Sequence, residues 1–268
     1  MMKPVAIITG ASSGIGEALA YEAARQGFAV VISARQMEKL QAVKARCESL
    51  NAACLAVVAD VSKEADCRQL VDEAVSKFNR IDVLINNAGI SMRALLKDCN
   101  LDVIRQLMDT NFWGTVYCTK FALPFLLESK GSVVGISSIA GIKGLPGRTG
   151  YSASKFAMHG FLESLRLENL KTGLHVLVAC PGYTASNIRN TALNHEGRGQ
   201  SESPLDESKL MQPEEVASKV FAAIKKRKRY IYLSFEGKAT NFLNKFFSAW
   251  LDKLVYKKVA AEKDSPFK

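Results

Sequence analysis

At 268 residues, 48% apolar and 23% charged, the chain has the composition of a soluble globular protein, enough for one large α/β domain, and is not an intrinsically disordered one. Three dispersed histidines (His159, His175, His195) and six cysteines without a C-x-x-C pair argue for free thiols in a reducing compartment, against a metal centre or a disulfide framework. The net charge of +10 is uneven: residues 213–268 hold 13 Lys/Arg against 6 Asp/Glu, which points to an anionic partner for the C-terminal part.

The N-terminus, MMKPVAIITG, moves straight into an apolar β-branched run, without a basic segment and long apolar stretch ahead of it. No apolar run reaches the roughly 18 residues of a spanning helix. A cytoplasmic protein, soluble or peripheral at a membrane, is expected. Short β-branched runs then alternate with longer helical patterns. VAIIT (5–9) precedes a helix near 14–27, AVVIS (29–33) one near 36–50, LAVVA (55–59) one near 63–78, and DVLIN (82–86) a long helix near 101–127. SVVGIS (132–137), HVLVAC (175–180) and YIYL (230–233) complete seven strands. Strands that are apolar throughout and separated by helices predict right-handed crossovers and a parallel sheet covered on both faces.

Strand one runs into TGASSGIG, where Gly10, Gly14 and Gly16 allow a tight turn, close approach of backbone to a pyrophosphate, and close packing of the helix on the sheet. The helix that opens there offers unpaired N–H groups to phosphate oxygens. Strand two ends in Ala34 and Arg35; with no carboxylate at that point and a guanidinium beside it, the expected cofactor is NADP(H) rather than NAD. In YSASK, Tyr151 and Lys155 lie one helical turn apart, about 6 Å along the axis, with small residues between them.

These motifs, in this order, resemble the short-chain dehydrogenase/reductase family over nearly all of residues 4–233: TGASSGIG (9–16), DV (60–61), NNAG (86–89), Asn111, SS (137–138), YSASK (151–155) and PG (181–182). The resemblance implies an α/β single-domain Rossmann fold with a doubly wound, seven-stranded parallel sheet, assembled as a homodimer or homotetramer. It adds Ser12, Ser13 and Ile15 to the glycines as cofactor contacts, with Asp60 and Val61 at the adenine, and Asn86, Ala88 and Gly89 on the ribose side and supporting the central sheet. Pro181, Gly182, Thr184 and Ser186 follow at the nicotinamide. Thr184 stands where the family commonly has an aliphatic residue, and Ser186 keeps a hydroxyl for the carboxamide. The catalytic set it implies is Asn111, Ser138, Tyr151 and Lys155. Tyr151 is the proton donor, its phenol tuned downward by Lys155 and the oxidised nicotinamide; Ser138 bonds the substrate oxygen; Asn111 holds a water connecting Lys155 to solvent.

The resulting expectation is an NADPH-dependent reductase interconverting a ketone or aldehyde and an alcohol on a small lipophilic molecule, in the branch of hydroxysteroid and lipid-carbonyl reductases. A 3-oxoacyl-(acyl-carrier-protein) reductase is the alternative, and a cofactor-binding sensor or scaffold without turnover the alternative of another class. Residues 1–235 form the domain, with 183–212 as an irregular substrate lid. KKRKR (225–229) lacks interleaved aromatics and reads as a solvated helix end, not a nucleic-acid site. The extension 236–268 carries an amphipathic helix over 242–259, with pairs Phe242/Leu243, Phe246/Phe247, Trp250/Leu251 and Leu254/Val255 on one stripe and lysines elsewhere. Such a helix docks on the body or another subunit, or lies peripherally on an anionic membrane.

Overall fold

The computed structural model describes residues 3–200, 210–262, 265 and 267. Its seven strands are β1 (Val5–Thr9), β2 (Ala29–Ala34), β3 (Cys54–Val58), β4 (Val83–Asn86), β5 (Ser132–Ile136), β6 (His175–Cys180) and β7 (Tyr230–Tyr232). They form one parallel sheet in the order β3-β2-β1-β4-β5-β6-β7. Alternate residues of each central strand feed opposite faces. Ala6, Ile8, Val30, Ile32 and Ile85 enter one core; Val5, Ile7, Val31 and Leu84 enter the other. Two buried faces therefore require unbroken apolar strands.

The first core is closed by α1 (Gly14–Arg25), α2 (Met37–Ser49) and α7 (Pro213–Lys225). The buried face of α1 is mostly alanine (Ala18, Ala20, Ala23, Ala24), so α7 approaches closely and seats Phe221 edge-on against Phe28. The second core is closed by α3 (Glu64–Phe78), α5 (Gly114–Glu128) and α6 (Thr149–Glu168). Strand order reverses between β1 and β4, and the chain leaves the carboxyl ends of those strands on opposite sides, opening a crevice there.

Three expectations change. The long helix near 101–127 is present, but as α4 (Leu101–Leu107) and α5 joined by a π-helical stretch, Met108–Trp113. The wider turn places Asn111 inward, fully buried. The segment 183–212, expected to be an irregular lid, is less irregular than its composition suggests: Leu193 pairs its backbone with Ser91 and Arg93, and Ala185 with Met211. Residues 201–209 of that segment lie outside the described residues. The tail is two helices, α8 (Phe235–Phe246) and α9 (Ser248–Ala260), with a corner at Phe247 (φ −134°, ψ 42°). Four-residue periodicity cannot reveal a corner, because the stripe continues in register on both sides of it.

Candidate active site

The glycine turn is built by close approach. Gly10 has φ +64°, and a Cβ there would stand 2.7 Å from the Ala88 Cα; a Cβ on Gly16 would stand 2.1 Å from the Gly10 carbonyl oxygen. Ser13 caps α1 without a side-chain hydrogen bond, so the first-turn N–H groups of Gly14–Gly16 keep their capacity for an external acceptor. Ser12 lies in the same turn, and Ile15 lines the cleft beyond it. This donor set fits the diphosphate of a dinucleotide. Arg35 is exposed just past β2, with no ion pair or hydrogen bond from its side chain among the described residues.

At the end of β3, Asp60 accepts from the Ser62 N–H and hydroxyl, and Val61 is buried against Gly114. Asn86 turns away from the crevice, its amide donating to Thr119 Oγ1 at 3.0 Å, which supports the sheet. Its neighbour Asn87 lines the cleft instead and donates to the Thr9 and Gly10 carbonyls, at 2.9 and 3.1 Å. The signal for Asn87 was present in the NNAG motif itself. A Cβ on Gly89 would sit 3.1 Å from Asn111 Oδ1 and 3.5 Å from Lys155 Nζ, so only glycine fits between those two groups without displacement.

Tyr151 and Lys155 project from the first turns of α6 and are 7% and 3% exposed. Lys155 Nζ donates to the Ile136 carbonyl at 2.9 Å and lies 5.9 Å from the Tyr151 ring centroid. Burial pulls its pKa down to about 8. Ser138, just past β5, lies close enough to the Tyr151 phenol to lower its pKa, and its Oγ accepts from the Ala140 N–H to cap a short turn. Burial raises the phenol's pKa above its ordinary value of 10.0; the nearby Ser138 hydroxyl and the charge of Arg148 work against that. The expected lowering by Lys155 is not what the protein's own groups produce. Its ammonium sits over the ring face rather than at the phenolic oxygen, and desolvation outweighs the rest.

The side chain of Asn111 is engaged by its neighbours. Its amide donates to the Ile90 carbonyl (3.0 Å) and Ser154 Oγ (2.9 Å), and its Oδ1 accepts from the Ile90 N–H (2.8 Å). It braces β4's exit loop against α6. Ser154, which in the sequence looked like a small space-maker, is the other half of that brace. Behind the site, His159 Nε2 lies 2.6 Å from Ser137 Oγ and 3.7 Å from Cys180 Sγ, and its pKa falls to about 4 through burial and then the Lys155 charge. No motif marked His159; it is one helical turn beyond Lys155.

Pro181, Gly182, Thr184 and Ser186 edge a cleft of about 390 Å³ that runs from the glycine turn past Tyr151 to the C-terminal helices. Its far wall is Leu243, Leu251, Leu254 and Val255 of α8 and α9. Those helices are tied down beside the site: Lys143 bonds Asn244 and Ser248 and pairs with Asp252, Asn244 bonds the Ile142 carbonyl, and Arg93 pairs with Glu262 at 2.8 Å. Docking on the body is one of the placements expected for this segment, and docked there it forms a wall of the cleft. Among the described residues no cluster of metal-ligand type is present.

A doubly wound parallel sheet, a glycine turn at its switch point and a Ser–Tyr–Lys group opening on one cleft define a dinucleotide-type oxidoreductase architecture. A family model for short chain dehydrogenase matches residues 4–197. The chain belongs to that family, oxidoreductases acting on CH–OH groups. It is 42% identical over 200 residues to "11-beta-hydroxysteroid dehydrogenase-like 4A" of Arabidopsis thaliana, covering 74% of this chain and 67% of that protein. It is 42% identical over 196 residues to "Dehydrogenase/reductase SDR family member 7" of Homo sapiens, covering 70% and 58%. Thus the chain spans between about half and two thirds of the curated relatives it matches. A short chain dehydrogenase/reductase from Burkholderia phymatum, solved with NAD, superposes with TM-score 0.83 at 24% identity over 93% of this chain and 95% of that one. An alcohol dehydrogenase from the archaeon Thermococcus sibiricus, solved with 5-hydroxy-NADP, gives 0.75 at 23% over 85% and 95%.

Proposed function

We propose that the protein reduces a ketone or aldehyde on a lipophilic molecule, reversibly and with NADPH. The observation that carries this reading is the convergence of Ser138, Tyr151 and Lys155 on an apolar cleft continuous with the glycine turn. The bound nicotinamide would supply or accept the hydride. Tyr151 gives its proton to the carbonyl oxygen, and Ser138 donates a hydrogen bond to the same oxygen as charge develops on it. Lys155 keeps a cation beside the phenol, and Asn111 with Ser154 holds the surrounding backbone. In Tyr151→Phe, turnover should fall by about 10²–10⁴-fold with NADPH binding retained. Wild-type rates in that variant would remove the proton-donor role.

NADP(H) is supported by Arg35, exposed and unpaired where a 2′-phosphate would reach it. The solved structural neighbours carry both kinds of dinucleotide, so the preference rests on this residue. Arg35→Ala should weaken NADPH binding at least about tenfold more than NADH binding. Lipophilic substrates are supported by the aliphatic far wall and by the hydroxysteroid-dehydrogenase names of the plant relatives. The outer face of the α8–α9 pair, with Phe242, Phe246, Phe247 and Trp250 exposed among Lys245, Lys253 and Lys257, supports peripheral contact with an anionic membrane.

A further inference from the structure

Six cations line the cleft, and most are already committed. Lys155 donates to a backbone carbonyl, Lys143 holds Asp252, Arg93 holds Glu262, and Lys258 holds Glu236 at 3.0 Å. Arg189 donates to the Thr184 carbonyl at 2.9 Å. Arg148 is different. Among the described residues its guanidinium makes no hydrogen bond and no ion pair, although it is partly buried and lines the cleft. It caps the N-terminus of α6, three residues ahead of Tyr151, near enough that its charge is felt at the phenol. The positive end of the α6 dipole adds to the field there. A guanidinium partly withdrawn from water in a cleft that also has an aliphatic wall is costly unless an anion completes it, and such a group, in a mostly apolar pocket, fixes the orientation of a ligand.

We propose that the cleft takes oxo acids with an aliphatic tail: the acidic group pairs with Arg148, the carbonyl a few bonds away reaches Tyr151, and the tail lies along Leu243, Leu251, Leu254 and Val255. This rests on the carbonyl-reductase reading for its chemistry but not for its binding. The close sequence spacing of Arg148 and Tyr151 limits the separation of acid and carbonyl; the cleft volume leaves room for the tail. The product is the matching hydroxy acid, formed with one hydride from NADPH and one proton from Tyr151.

The test uses the full chain and three probes: 4-oxododecanoate, its methyl ester, and dodecanoate, which has no carbonyl to reduce. NADPH consumption follows the first two, and calorimetry follows dodecanoate binding. Wild type should favour the acid over the ester by at least about tenfold in kcat/KM. Arg148→Gln should lose more on the acid than on the ester by a similar factor, chiefly through KM, and should weaken dodecanoate binding about tenfold. Arg148→Lys, which keeps the charge, should restore much of the preference and controls for folding. Equal losses on acid and ester would mean that Arg148 acts on Tyr151 or on the fold, and would overturn the proposal. So would dodecanoate binding that is unchanged in Arg148→Gln. If dodecanoate binding depends on Arg148 while neither oxo compound is reduced, the anion site stands and the carbonyl-reductase reading falls.

Discussion

His159 titrates where it does because of its neighbours. It is packed against Ser137 and Cys180, within reach of Lys155, and beside Tyr230, so its neutral form is favoured and its pKa drops from 6.5 to about 4. Between those values the unfolded chain binds a proton that the folded protein refuses. The stability this provides is complete above pH 6.5 and is lost as pH falls through 6.5 to 4, about 3 kcal/mol at most. Urea midpoints measured from pH 7 to pH 4 should therefore fall more steeply for wild type than for His159→Asn. Gly16 is constrained differently. With 2.1 Å to the Gly10 carbonyl and 2.5 Å to Asn87 Nδ2, a methyl group has nowhere to go. Gly16→Ala should cost at least about 2 kcal/mol in urea unfolding and abolish dinucleotide binding, because the same turn serves both ends. A Gly16→Ala protein with normal stability and binding would refute the close-packing account. At this scale the motifs were legible because their chemistry is local: glycines, a phenol and an ammonium at fixed spacing. His159 and Arg148 were not, since what matters about them is which groups of other elements face them.

The α8–α9 pair is the element whose meaning changed most. The stripe is divided between two environments: Leu251 is 5% exposed and Trp250 is 54% exposed, while Phe246 and Phe247 are both exposed. One side closes the cleft, and the other faces outward. Its attachment depends on Lys143, whose ammonium, 9% exposed at the side chain, serves Asn244, Ser248 and Asp252 together. Lys143→Met would leave those partners without their donor while keeping the aliphatic stem. Limited proteolysis should then cut within 235–260 at several-fold lower protease, while the KM for apolar carbonyl compounds rises and the thermal transition of the sheet shifts little. Unchanged protection of the pair would show that apolar packing alone holds it. The π stretch at Met108–Trp113 is a second feature hidden from pattern reading. A helical pattern of 27 residues does not disclose where one turn widens, and only the Asn111–Ile90–Ser154 contacts give that turn a reason.

At the scale of the molecule, charge and exposed aromatics lie on the same side. Phe242, Phe246, Phe247 and Trp250 are all more than half exposed, and exposed lysines surround them. Full-length protein should co-sediment with phosphatidylserine-rich vesicles at low salt and be released as ionic strength rises, since the Debye length shrinks to about 8 Å at physiological salt. A chain cut after Ser234 should stay in the supernatant. If the full chain does not sediment and the cut changes the oligomeric state, the outward face is an assembly surface and the membrane contact is wrong. Among the described residues no helix is long and apolar enough to cross a membrane.

The parallel sheet covered on both faces and the glycine turn follow from the sequence because they rest on near-neighbour rules: unbroken apolar strands demand two covered faces, and glycines after a strand demand a tight turn. Ser138, Tyr151 and Lys155 were likewise legible, by spacing and by resemblance. What only the tertiary structure decided are relations between segments far apart in the chain. Lys143 meets Asn244 across 101 residues, and Arg93 meets Glu262 across 169. Those contacts fold the tail over the cleft and turn an amphipathic stripe into one of its walls. Arg93 and Lys143 are taken up in holding the tail, Lys258 pairs within it, Lys155 and Arg189 donate to backbone carbonyls, and among the described residues Arg148 is left open. Periodicity reports which side of a helix is apolar; which surface that side meets is settled by packing and by the polar anchors that fix its place.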